Sequence, residues 1–112
     1  MRMPALLCFC TCPDAATAET IAETLVGERL AACVNLLPGL RSVYRWQGAV
    51  ERADEVMLLI KTQPDRYWPL QDRLLQLHPH ELPELIAVET DFGLPAYLRW
   101  VADETRIEPA SE

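Results

Sequence analysis

Apolar and polar positions along the chain separate strands from helices. Residues 5–11 are apolar at both parities, the pattern of a strand buried on both faces, and Pro13-Asp14 ends it. Asp14 is a good helix N-cap. Ala18, Ile21, Ala22 and Leu25 follow at helical spacing, with Glu19 and Glu23 on the opposite face. This helix is expected to run to Leu30, with Gly27 a weak point late in it. Residues 32–45 are again β-prone. Pro38-Gly39 interrupts them and reads as a bulge, because Leu40, Val43 and Tyr44 resume strand character. Trp46-Gln47-Gly48 supplies a short turn. Residues 49–61 return as a second arm, polar over 51–55 and apolar from Val56 to Ile60.

The length of that hairpin is its main message. Arms of roughly 13 residues extend about 40 Å. A compact domain of this size has a radius of gyration of about 13 Å and a diameter near ~35 Å. The hairpin therefore outgrows its own domain, and its tip, carrying Tyr44 and Trp46, is expected to rest on another subunit.

Pro64 opens a second helical region. Pro69 suits only the start of a helix, so the regular part begins there, or at Asp65 with a distortion. Leu70, Leu74 and Leu77 form its apolar stripe and Pro79 stops it. Residues 85–90 read as a last central strand. Leu94, Tyr97, Leu98 and Val101 mark a short C-terminal helix, with Trp100 pointing elsewhere, and a polar, frayed tail is expected over 103–112. The order βαββαβα, with a long β2–β3 hairpin and mainly antiparallel pairing, defines a single α+β domain over 1–112. Its class is the ferredoxin-like βαββαβ sandwich with a short C-terminal helix.

Composition narrows the function. The 112 residues carry 10 basic and 17 acidic side chains, a net charge of −7, which argues against a nucleic-acid partner. No apolar run approaches the roughly 20 residues of a membrane helix, so no membrane association is expected. The stretch after Met1-Arg2-Met3-Pro4 is too short for an export signal. A cytoplasmic location with reduced thiols is the expectation.

Four cysteines then matter for their spacing. Cys8, Cys10 and Cys12 alternate and Cys33 stands apart. Residues i and i+2 of a strand share a face about 7 Å apart, too far for an unstrained disulfide. The alternating thiols make either a soft-metal or redox site or small apolar filler, the commoner fate of a free cysteine. Cys10 and Cys12 are the better ligand candidates, being nearer the strand end. His78-Pro79-His80-Glu81-Leu82-Pro83-Glu84 holds both histidines on a stiff segment, where His78 and His80 can project together as imidazole ligands for Cu(II) or Zn(II). The plainer reading has His78 interacting with the last carbonyls of the preceding helix. Lys61, the lone lysine, ends an apolar strand and needs a partner; Glu55, Glu84 and Glu89 are the obvious carboxylates. Tyr44, Trp46 and Trp100 are candidate anchors at a subunit contact, with core packing as the alternative. No phosphate-cradling glycine loop and no Gly-x-Ser-x-Gly motif occurs.

Taken in order, Ala31-Ala32-Cys33-Val34-Asn35, Pro38-Gly39, Ser42 to Gly48, Lys61-Thr62, His78-Pro79 with Pro83-Glu84, and Tyr97-Leu98-Arg99-Trp100 resemble the CutA family of divalent-cation tolerance proteins. The likeness runs from Phe9 to Ala102. It implies a tight homotrimer resembling PII-type signalling trimers, a cytoplasmic role connected with copper and other divalent metals, and no established reaction. The copper ligands proposed for the family fall on Cys10 and Glu84. The family's histidine position holds Leu77, which cannot ligate, and its tyrosine after His-Pro is His80. A variant site of Cys10, His78, His80 and Glu84 is therefore the expectation.

Trp46, Glu55 and Lys61 are the expected lining of a cleft where one subunit's hairpin tip lies over the next. No cofactor is required; Cu(II) or another divalent cation is the expected ligand. The alternatives are a trimeric regulatory or scaffold protein taking a small ligand or partner in that cleft, and a small enzyme using Lys61 or His78 as acid–base group.

Overall fold

In the computed structural model, which describes residues 4–107, β1 (Leu6–Cys12) lies between β3 (Ala49–Thr62) and β4 (Leu85–Glu89). The strand β2 (Cys33–Trp46) lies outside β3, and every pairing is antiparallel. Helices α1 (Ala15–Gly27) and α2 (Tyr67–Leu77) cover one face of this sheet. Ala18, Ile21 and Leu25 of α1, with Leu70 and Leu74 of α2, pack on the inward residues Cys8, Cys10, Cys12, Leu58 and Ile60. The helix α3 (Pro95–Glu104) closes one end, where Val101 meets Ala5 and Ala32. This is the ferredoxin-like α+β sandwich.

Local chemistry sets the boundaries. The Asp14 carboxylate accepts the Thr17 N–H at 2.8 Å and starts α1. That helix ends at Gly27 rather than Leu30. Arg29 turns left-handed (φ 60°), and the Leu30 and Ala31 N–H groups fold back onto the Leu25 carbonyl. A single 3-10 turn (Pro64–Arg66) precedes α2, so Pro69 falls in the helix's first turn, where its missing N–H costs nothing. At the C-terminus Asp103 and Glu104 close α3 instead of fraying, and the buried Thr105 hydroxyl donates to the Val101 carbonyl at 2.8 Å. The rest of the expected tail, 108–112, lies outside the described residues.

Two features leave the body incomplete. The hairpin arms are 14 residues each, with a register shift between Leu37 and Leu40 that Gly39 makes possible at φ 81°. Gln47 and Gly48, both at positive φ, form the tight turn. The radius of gyration is 15.2 Å and the long axis 52 Å, against about 13 Å for a compact chain of this length. In addition, β4 is an edge strand, not a central one. Leu85 and Ala87 face the core, while Ile86 and Val88 stay 59% and 50% exposed on the helix-free face. An apolar run signals burial of both faces only when something covers both.

Candidate metal centre

The end of β1 brings together groups that the chain keeps 66 residues apart or more. Strand β1 outruns β4: its pairing with β4 stops at Cys10 opposite Leu85, while its pairing with β3 continues to Cys12 opposite Val56. The Thr11 carbonyl therefore has no β4 partner, and His78 supplies one. His78 is the C-cap of α2, its N–H donating to the Leu74 carbonyl at 2.9 Å. Pro79 holds its backbone extended, which turns the ring away from the helix. Nε2 lies 2.8 Å from the Thr11 carbonyl oxygen, so it donates there, and Nδ1 accepts the His80 N–H at 3.1 Å. The ring thus caps a strand rather than its own helix.

Beside that ring stand two thiols. The donor atoms of Cys10, Cys12 and His78 all lie within 4.8 Å of one another, and all three residues are buried. The sulfurs come closer than strand spacing alone suggests because both side chains lean together on one face; all four cysteines are free thiols. The Cys10 thiol donates to the Thr11 carbonyl at 3.7 Å, and a side-chain hydrogen-bonding contact with Cys12 links the pair. This contact lowers the pKa of Cys12, outweighing burial and the negative charges of Glu55 and Asp14. The same contact raises Cys10, with burial, the Cys12 charge, Glu84 and Glu55 adding to the rise. The two thiols titrate as a pair, so ionising one opposes ionising the other. Cys8, farther along the strand, is pushed up to about 11 by burial and serves as core filler.

The other candidates lie outside this cluster. His80 and Glu84 are exposed, with the His80 ring centroid 4.9 Å from that of His78. Both line an open cleft of about 980 Å³ between the hairpin and residues 79–86, together with Thr11, Tyr44, Trp46 and Glu55. Within the protomer Trp46 and Glu55 share this cleft, and Lys61 lies away from it. It pairs with Leu7 and Cys33 at the opposite end of β3 and contacts the Asn35 side-chain oxygen instead of a carboxylate. Trp100 stacks obliquely on Tyr97, ring centroids 5.6 Å apart, and remains 41% exposed. Leu77 packs against the core, so the position that cannot ligate is filled for stability. Cys12 lies outside the inherited ligand positions, and its i, i+2 spacing from Cys10 is the signal that marks it as a candidate. The Thr11 carbonyl has none.

A two-layer sandwich with an oversized hairpin and a thiol–imidazole cluster beneath an acidic cleft defines a small α+β protein with one candidate metal centre among its described residues. Residues 6–104 match the model of the CutA1 divalent ion tolerance protein family. The chain is 46% identical over 95 residues to the divalent-cation tolerance protein CutA of Thermus thermophilus, covering 85% of this chain and 92% of that one. It is 43% identical over 97 residues to protein CutA of Mus musculus, where 87% of this chain spans 55% of the longer mouse protein. The crystal structure of CutA from Xylella fastidiosa superposes with a TM-score of 0.89 at 51% identity, over 91% of this chain and 98% of that one. The chain belongs to the CutA1 divalent ion tolerance family. That family is named for tolerance of an ion and not for a reaction.

Proposed function

We propose that this chain is a cytoplasmic, homotrimeric protein that binds divalent cations, copper among them, and confers tolerance without catalysing a reaction. The observation that carries the reading is the convergence of Cys10, Cys12 and His78 below a cleft lined by His80, Glu55 and Glu84. Imidazole and carboxylate at the mouth suit a borderline ion such as Cu(II), with sulfur behind them. His78 joins the ligand set when the His80 N–H turns away from Nδ1.

Support for the trimer comes from what the protomer leaves bare. The helix-free sheet face carries Leu7, Phe9, Leu37, Leu59, Ile86 and Val88, placed together by the strand register. Leu37, Ile86 and Val88 are 43 to 59% exposed. Copies of this chain are the occupants that also account for a hairpin reaching beyond its own body. Free thiols throughout fit a reducing compartment. Among the described residues no helix is long and apolar enough to cross a membrane.

Titration of Cu(II) into the wild-type protein and a His78→Ala/His80→Ala double variant tests the metal assignment. The variant is expected to bind at least about 10-fold more weakly; equal affinity removes the histidines from the site. Glu84→Gln is expected to weaken binding less.

A further inference from the structure

The two thiols at the end of β1 form a donor set different from the imidazole and carboxylates at the cleft mouth. We propose that Cys10 and Cys12 form a buried two-sulfur site for a soft monovalent cation of the Cu(I) or Ag(I) class. The proposal rests on the reading of the β1 end as metal-handling, and it adds a two-sulfur geometry and an ion class to that reading.

Geometry comes first. A metal–thiolate bond of about 2.3 Å lets one ion bridge two sulfurs as far as about 4.6 Å apart. The sulfurs already stand within 4.8 Å, so a small side-chain rotation closes the bridge with no movement of the strand. Available donors decide the ion. Both nitrogens of His78 are engaged with backbone groups, Nε2 at the Thr11 carbonyl and Nδ1 at the His80 N–H. The lone pairs free at this depth are those of sulfur. Zinc in a structural site takes four donors, whereas a soft monovalent ion is satisfied by a pair of thiolates.

Burial acts in the same direction. Cys10 and Cys12 are fully buried, and hard hydrated cations lose most on leaving water, while the bond to sulfur does not depend on it. Binding releases the Cys12 and Cys10 protons to solvent as two sulfur–metal bonds form. No electron moves, so the ion arrives already as Cu(I). Thr11, Glu55, His80 and Glu84 line the cleft outside and provide a negatively charged approach.

The test uses the whole, fully reduced chain under anaerobic conditions, with Cu(I) delivered from a chromogenic chelator buffer. One Cu(I) per chain is expected, and X-ray absorption at the copper edge should show sulfur as the nearest scatterer. Cys12→Ala should weaken Cu(I) binding by about 100-fold, as much as losing a strong supporting partner costs at other metal sites. Cys8→Ala should leave it unchanged. A copper edge dominated by nitrogen or oxygen overturns the proposal on wild-type protein alone, whatever the folding of the variants. Unchanged Cu(I) affinity in a folded Cys12→Ala protein also overturns it. If in that case Cu(II) binding still depends on His78, His80 and Glu84, the divalent reading stands. If the wild type binds neither ion, both readings fall.

Discussion

His78 shows how much one side chain can settle. Its ring answers a carbonyl that the shorter β4 leaves unpaired, and it draws the end of α2 onto the end of β1. Removing it leaves the buried Thr11 carbonyl with only the weak Cys10 thiol donor at 3.7 Å, which costs about 1–3 kcal/mol. His78→Ala should therefore lower the unfolding free energy by that amount even without metal, measured by urea titration. A loss below about 0.5 kcal/mol, the floor for an ordinary hydrogen bond, would show that water replaces the ring. Cys8 gives a pH dependence with a definite sign. Its folded pKa of about 11 lies above its ordinary 9.0. Between those values the folded chain holds a proton that the unfolded chain has released. Stability should therefore fall as pH rises from 9 to 11, by up to about 3 kcal/mol. Melts across that window should show a shallower decline in Cys8→Ala than in the wild type.

The hairpin is the element on which the architecture turns. Its bulge depends on Gly39, held at φ 81° with open space where a Cβ would stand. The penalty for Gly39→Ala is thus backbone strain and not collision, about 1 kcal/mol in chemical denaturation. Gly39→Asn should cost less, because asparagine tolerates that conformation better. The hairpin was legible because its signals are local: a polar-to-apolar switch within one arm, Pro38-Gly39 at the bend and Gly48 at the turn. The helix stripe of Leu70 and Leu74 was equally plain. What the pattern misjudged depends on neighbours. The apolar run of β4 reads as a central strand, and only the sheet order puts it at the edge. Lys61 stands six residues beyond Glu55 on the same strand, about 20 Å away, so a cleft holding both would take them from different copies of the chain. Cys10 was visible as a ligand position; its pairing with Cys12 and His78 required the rotamers and the Thr11 carbonyl.

At the scale of the whole molecule the bare sheet face and the projecting hairpin are complementary defects. Self-association predicts a melting temperature that rises with protein concentration. Val88→Lys would place a charge on the exposed apolar face beside Ile86 and, on the proposed trimer, should shift the sedimentation profile toward monomer. Trp46→Ala should loosen the assembly to a lesser degree if the tip anchors a neighbour. A trimer that persists undiluted in weight at nanomolar concentration for Val88→Lys would show that copies meet elsewhere.

The outermost strand, β2, carries a consequence for the chain's early life. A 14-residue ladder with one side free is a template on which other chains can add indefinitely. Arg41, Arg45 and Pro38 punctuate it, two by charge and one by withholding an N–H. On the proposed assembly they would act as gatekeepers in the interval before copies of the chain meet. Replacing Pro38 by valine should leave a finished particle intact while making freshly refolded protein form thioflavin-positive fibrils, so that the interruption in this strand protects the nascent chain more than the mature one.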